Sequence, residues 1–305
     1  MPKKIILIAG PTASGKSKLA LKIAQKINGE VINADSMQVY KEFLVLSSRP
    51  LKKETKKVKH HLYGFTTVKK YFSAGEWLKK LRIKIKLCEK NKKIPIVVGG
   101  TGLYFKAITQ GISQIPNIKK GTRISVRELH KKIGQEKFYQ KLVNLDPLIK
   151  KKFLSTDTQR SMRAYEVKLE TKKSLYEWAR NTKSNFLDYD IKKFYINIQR
   201  EELLTNISKR TEQMFRNKCV NEVTKFLKLK IDKSLSSNKL IGVNEIRDYL
   251  SGTITLNQAK ELINIKTRQY AKRQNTWSRG HMKNWKKLYS KDLSILTEKI
   301  LKEIS

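Results

Sequence analysis

Residues 4–17, Lys-Ile-Ile-Leu-Ile-Ala-Gly-Pro-Thr-Ala-Ser-Gly-Lys-Ser, constrain this chain more than any other stretch. Residues 4–10 read as a short strand with no polar face, as expected of a strand buried inside a sheet. Gly10, Pro11, Thr12, Ala13, Ser14, Gly15, Lys16 and Ser17 follow at once and match G-x-x-x-x-G-K-[ST]. Residues 18–27 then place Leu19, Ala20, Ile23 and Ile27 on one helical face. Strand, glycine loop and helix in that order form a phosphate-binding loop. Its glycines let the backbone curl around phosphate oxygens, and the first amides of the helix carry partial positive charge. Lys16 adds a full charge, and the Ser17 hydroxyl suits Mg2+.

Two more strands end in polar or glycine-rich turns. Residues 30–34 run into Asp35-Ser36-Met37-Gln38-Val39-Tyr40, and residues 94–98 run into Gly99-Gly100-Thr101-Gly102-Leu103-Tyr104. Strands alternating with helices imply an α/β fold: a P-loop-type parallel sheet flanked by helices, with ligands bound outside the carboxyl ends of the strands. The loop, Asp35 and Thr101 therefore converge. A carboxylate there is a Mg2+ ligand, a general base or a helix N-cap, and Thr101 is a site hydroxyl or a turn hydroxyl. A fourth strand over 194–199 leads to Arg200 and a helix over 201–215. Arg200 and Arg210 either reach the same phosphates or face solvent.

The charge balance points to the partner. Lys+Arg is 67 and Asp+Glu is 26, a net charge of +41, which favours a polyanion although a lysine-rich composition accounts for part of it. The longest apolar runs are strand-sized, too short to span a membrane. Met1-Pro2-Lys3-Lys4 has the charge of a secretion signal but not its apolar length. Cys88 and Cys219 are solitary, which excludes a disulfide framework and fits a cytoplasmic protein. The four histidines show no metal-ligand spacing.

The middle of the chain lacks strand signals. A linker-like stretch over 111–122 precedes helices over 123–133 and 135–145, and Asp157 is placed to cap a helix running to Thr171. On that helix Gln159 and Arg163 share a face, with Arg160 beside them. The region from Ser236 onward reads as helical. Within it Lys266, Arg268, Lys272 and Arg273 interleave with Tyr270 and Trp277, the two aromatics being spaced as core residues with cations left for backbone contacts. The expected organisation is a catalytic core from 1–112 and 192–305, including the helical C-terminal region, and a helical insertion over 113–191.

Taken together, these blocks resemble the tRNA dimethylallyltransferase (tRNA isopentenyltransferase, or IPP transferase) family. The resemblance rests on residues 10–17, 35–40, His60-His61-Leu62, Ser73-Ala74-Gly75, 99–104, 157–167, Ile241-Gly242 and 267–277. It implies transfer of the dimethylallyl group of dimethylallyl diphosphate to the exocyclic N6 amine of the adenosine 3′-adjacent to the anticodon. It also implies Mg2+ as cofactor, tRNA as partner and a monomeric chain with a nucleotide-binding, ATP-binding type of loop. The phosphate loop matches the diphosphate site, Asp35 the general base, Thr101 a residue contacting the target nucleotide, and Arg123 a further site arginine. Asp35, Ser36, Met37 and Gln38, with Gln159, Arg160, Ser161, Met162 and Arg163, match tRNA-contacting segments. The competing readings are a small-molecule kinase using ATP and an RNA-binding protein with a vestigial loop.

The chain departs from the family pattern at several positions. Leu46 stands where glycine is expected, Arg49 for lysine, Tyr63-Gly64 for Ile-Asp, and Asn206 for arginine. Lys218 replaces a glycine, and Val243-Asn244 replace an aromatic and a cation.

Overall fold

The apolar runs become the centre of one parallel sheet. The computed structural model describes residues 3–232 and 235–304; Met1 and Pro2 of the signal-like stretch lie outside the described residues. The elements are β1 (Lys4–Ala9), α1 (Lys16–Lys26), β2 (Gly29–Asn33), α2 (Lys52–Thr55), β3 (His60–His61), α3 (Ala74–Lys90), β4 (Ile94–Gly99) and α4 (Gly102–Thr109). There follow α5 (Lys120–Leu145), α6 (Thr158–Thr171), α7 (Leu175–Arg180), β5 (Asp190–Asn197), α8 (Arg200–Arg216), α9 (Cys219–Lys228), α10 (Val243–Leu250), α11 (Leu256–His281), β6 (Lys286–Tyr289) and α12 (Leu293–Ile304).

The strand order is β3-β2-β4-β1-β5-β6, every pair parallel. β1 lies at the centre, with Ile8 opposite Val98 on one side and Phe194 on the other. Ile6, Ile8, Val31, Ile96, Val98 and Phe194 form one face of the sheet and pack against Leu19, Ala20 and Ile23 of α1 and Leu296 and Ile300 of α12. Parallel strands joined by crossovers all end on one edge, so the turns after β1, β2 and β4 must lie side by side. A second apolar cluster sets Val39, Tyr40 and Phe43, just beyond β2, against α9, α10 and α11.

Two differences from the sequence reading concern β structure. The C-terminal region is not wholly helical, because Lys286–Tyr289 adds a sixth strand along β5. Only Leu288 of that strand is buried, so its four residues give no apolar period. His60–His61 likewise becomes a two-residue edge strand on β2.

The chain divides into two compact units, Met1–Ile108 with Phe186–Ser305, and Thr109–Asn185. The first contains the whole sheet. The second boundary falls before the expected 191 because β5 starts at Asp190, paired with Lys4. The second unit holds α5, α6 and α7 around Val126, Phe138, Leu142, Ile149, Ala164 and Tyr165. Gly134, at φ 74°, breaks α5 where the two predicted helices meet. Asp157 caps α6, accepting from the Arg160 amide at 3.0 Å. Among the described residues no helix is long and apolar enough to cross a membrane.

Candidate active site

The turn after β1 is already shaped for an anion. Ala13 and Gly15 both have positive φ, 62° and 80°, which curls the loop so that its amides point inward. Gly15 is the N-cap of α1 and supplies no capping side chain. Among the described residues nothing accepts from the Gly15, Lys16 and Ser17 amides. The Ser14 hydroxyl is buried with no hydrogen-bond partner among the described residues. Orphaned donors at a helix N-terminus are a binding site for phosphate oxygens. Lys16 Nζ lies across the loop and donates to the Pro11 carbonyl at 3.0 Å. Burial lowers the Lys16 pKa to about 8, against the opposing pull of Asp35, and Arg210 lowers it further.

The turn after β2 is held by Asn33. Its side chain accepts from the Asp35 amide at 2.8 Å and donates to the Asp35 carbonyl at 2.9 Å and to Leu62 at 3.0 Å. This fixes the backbone on both sides of Ala34 and aims Asp35 off the strand end. Asp35 Oδ1 accepts from the Met37 amide at 2.8 Å, so it is a turn residue as well as a carboxylate in the pocket wall. The turn after β4 is tied to it, with Thr101 Oγ1 accepting from the Ser36 amide at 3.0 Å and lying 3.4 Å from Ser36 Oγ, although Gly99 lines the cavity and Thr101 does not. Gly99 admits no side chain, since a Cβ there would lie 2.1 Å from the Ala34 carbonyl oxygen.

Residues 12–17 and 35–38 line one cavity of about 990 Å³ at the carboxyl edge of the sheet. The field of Asp35 reaches across it: burial raises the Tyr270 hydroxyl and Asp35 raises it further, while burial lowers Arg210 against Asp35. Arg210, on α8, donates to Thr12 Oγ1 at 2.5 Å and so faces the phosphate loop. Arg200 does not line this cavity; it lines a neighbouring hollow between α8 and α11. Tyr270 is in the pocket wall rather than the core, with Arg273 over its ring at 5.8 Å. Trp277 packs inward onto Gly102, where a Cβ would lie 2.4 Å from the indole.

Mg2+ has suitable hard-oxygen donors here. The Ser17 hydroxyl is exposed on the first turn of α1, and Asp35 Oδ2 makes no hydrogen bond among the described residues. Both line the same cavity, so the residues fit the ion. The one cluster of His, Cys and acidic groups close enough to hold a metal among the described residues is elsewhere. It is Glu30, His61 and Cys88, all buried. His61 Nε2 lies 2.5 Å from Glu30 Oε2, and burial together with Glu30 pushes the Cys88 thiol up to about 12, so it stays a neutral thiol.

The second unit carries the remaining predicted site residues. Gln159 and Arg160 are exposed and Arg163 is half-buried, while Arg123 sits half-buried on the first turn of α5. Arg160 pairs with Asp157 at 3.5 Å and Arg163 with Glu166 at 3.4 Å. Ser161, expected in a tRNA-contacting segment, is fully buried and accepts from Gln135 Nε2 at 3.2 Å. Met162 also turns partly inward, against that unit's core. A five-residue helical segment cannot present every side chain to one partner.

Several departures from the family pattern meet one another in space. Arg49 lies where a side chain on Gly64 would project, its Nη1 1.4 Å from that position, and donates to the Phe43 and Lys41 carbonyls at 3.0 Å each. Leu46 fills the space beside Gly242, where a Cβ would lie 2.5 Å from Leu46 Cδ1, and Val243 next to it is small. Leu46 itself needs no glycine, the positive φ of that turn falling on Ser48 at 52°. Asn206 donates to the Ala13 carbonyl at 3.4 Å. Lys218 keeps a left-handed conformation, φ 62°, at a glycine position, and Asn244 is exposed.

Sequence reasoning missed Asn33, Arg49, Tyr270 and Gln274 as parts of the site. Asn33 had a local signal, an amide two residues before the strand-end aspartate. Arg49 and Tyr270 reach the cavity from elements distant in sequence, and Gln274 bonds the Thr12 amide and the Gly100 carbonyl without lining it.

Comparison with known proteins agrees with this architecture. The family model described as IPP transferase matches residues 38–281. The tRNA dimethylallyltransferase of Pelagibacter ubique is 56% identical over 285 residues, covering 93% of this chain and 91% of that protein. That of Rickettsia felis is 41% identical over 276 residues, covering 90% and 89%. The crystal structure of full-length tRNA isopentenylpyrophosphate transferase from Bacillus halodurans superposes with a TM-score of 0.70 at 27% identity, over 99% of this chain and 97% of that one. A eukaryotic dimethylallyltransferase acting on tRNA gives a TM-score of 0.77 at 27% identity, over 90% and 70%. The sheet order, the shared cavity and these matches agree: the chain belongs to the IPP transferase family.

Proposed function

We propose that this chain transfers the dimethylallyl group of dimethylallyl diphosphate to N6 of the adenosine 3′-adjacent to the anticodon of tRNA, releasing diphosphate. The observation that supports it most directly is one cavity lined by both the phosphate cradle and Asp35, with Thr101 bonded to the Ser36 amide beside the carboxylate. The cradle, Lys16 and Arg210 take the diphosphate and absorb the charge that develops as the allylic C1–O bond breaks. The N6 lone pair is delocalised into the purine and attacks weakly. Asp35 takes the amine proton as the N6–C1 bond forms, a contribution on the order of 10²–10⁴-fold. Thr101 orients the nucleotide beside it. Mg2+ would be held by the Ser17 hydroxyl and would supply charge neutralisation for the diphosphate, leaving the free Asp35 oxygen for the proton.

The target base lies in a loop, already unpaired, so presenting it to a cavity costs little. The basic surface of the second unit, Arg123, Gln159, Arg160 and Arg163, takes part in holding the RNA. We read the chain as cytoplasmic, in keeping with two buried free cysteines, and as a monomer.

The test is nucleoside analysis of tRNA incubated with the protein, Mg2+ and either labelled dimethylallyl diphosphate or labelled ATP. Label entering adenosine only from the prenyl donor is expected, with Asp35→Ala at least about 10²-fold slower and still binding tRNA. Phosphate label on a small molecule, or tRNA retention with no product, would overturn the reading.

A further inference from the structure

One side chain from far along the chain joins two of the converging turns. Gln274, on α11, accepts from the Thr12 amide at 2.8 Å and donates from Nε2 to the Gly100 carbonyl at 2.9 Å. The fit is built from both ends. A Cβ on Gly100 would lie 2.2 Å from Gln274 Nε2, so only glycine admits the carboxamide there. Thr12 is anchored a second time through its hydroxyl by Arg210. Beyond Gly100 the connection continues, since Thr101 Oγ1 accepts from the Ser36 amide and Asp35 is the next residue. An unbroken series of hydrogen bonds and single residues therefore runs from the phosphate loop to the carboxylate, with one carboxamide as its only bridge between the β1 and β4 turns among the described residues.

The sheet alone does not fix that spacing. β1 and β4 pair only as far as Ala9 and Gly99, and everything beyond is loop. A transfer reaction needs its donor carbon and acceptor nitrogen held within a few tenths of an ångström, and a 1 Å misplacement costs about 10²-fold. We propose that Gln274 is a positioning residue: its carboxamide sets the distance between the loop that holds the donor diphosphate and the Thr101–Asp35 arm that holds the acceptor. This rests on the transferase reading above. Gln274 touches neither reacting group in this role and acts through Thr12 and Gly100.

Three variants test it. Gln274→Met fills the same space without either hydrogen bond. It is expected to lower kcat by about 10–100-fold while the KM for tRNA stays within about threefold. Hydrogen exchange at the phosphate-loop amides should rise with the rest of the protein unchanged. Gln274→Glu keeps the acceptor for Thr12 and loses the donor to Gly100, so the loop should stay protected while kcat still falls. Gln274→Met made together with Asp35→Ala should be no slower than Asp35→Ala alone, within about threefold, because a base already removed cannot be misplaced.

A Gln274→Met protein with wild-type kcat overturns the proposal, as does a loss that multiplies fully with that of Asp35→Ala. If Gln274→Met does not fold, Gln274→Glu decides, and wild-type kcat there refutes the bridge. Failure of the underlying reading looks different, for the unmutated protein would then form no prenylated tRNA, or Asp35→Ala would turn over normally while Gln274→Met did not.

Discussion

If the phosphate loop takes the donor diphosphate as proposed, Lys16 should make that binding a proton-coupled event. Its ammonium titrates near 8 in the ligand-free protein, against an ordinary 10.5, chiefly because burial strips it of water. A bound diphosphate supplies the missing counter-charge and returns the pKa to about 10.5 or above. At pH 9 the free protein is then about 9% protonated at Lys16 and the complex about 97%, so binding takes up about 0.9 proton. At pH 7 the uptake is only about 0.1 proton. The affinity for the diphosphate accordingly falls about tenfold per pH unit between pH 8 and 10.5, about 3 kcal/mol in all. The sign for stability is the opposite. The unfolded chain binds more protons between those limits, so the ligand-free protein gains up to about 3 kcal/mol as pH rises from 8 to 10.5. The assay is titration calorimetry of metal-free protein with dimethylallyl diphosphate, in buffers of different ionisation enthalpy, at pH 7 and pH 9. The donor's own last phosphate proton leaves near pH 6 and does not interfere. Lys16→Met should abolish the uptake and bind weakly at both pH values. An uptake below about 0.3 proton at pH 9, or one that persists in Lys16→Met, would refute the reasoning.

Two further predictions concern the departures from the family pattern. Gly64→Asp should cost about 1–3 kcal/mol, from its left-handed φ of 53° and from displacing the Arg49 guanidinium off the Phe43 and Lys41 carbonyls. Adding Arg49→Lys should recover only the second part of that loss in thermal denaturation, and strict additivity of the two changes would show that they do not share the space. Lys218→Gly should raise stability by about 1 kcal/mol, since it relieves a left-handed lysine at φ 62°, and an unchanged or lower melting temperature would contradict this.

Much of the site was legible because it is local. The loop motif, Asp35 and Thr101 each follow an apolar run directly, and a parallel sheet brings such positions to one edge whatever the rest of the chain does. Gly134 marked the break in α5, and Asp157 the start of α6. The sequence could not say which face of α6 is free, and Ser161 proved to be core. Nor could it show β6, whose single buried leucine becomes a strand only because β5 offers it an open edge.

The sequence by itself determined the phosphate cradle and the family, since both are written in contiguous residues whose backbone chemistry is self-contained. Only the tertiary structure decided which distant side chains complete the cavity and brace its turns. Arg210, Tyr270 and Gln274 lie on helices whose rotation is set by packing against the sheet and one another, and no local pattern reports that rotation. The pairing of Arg49 with Gly64 and of Leu46 with Gly242 has the same cause: each is a volume exchanged between segments that meet only when the chain is folded.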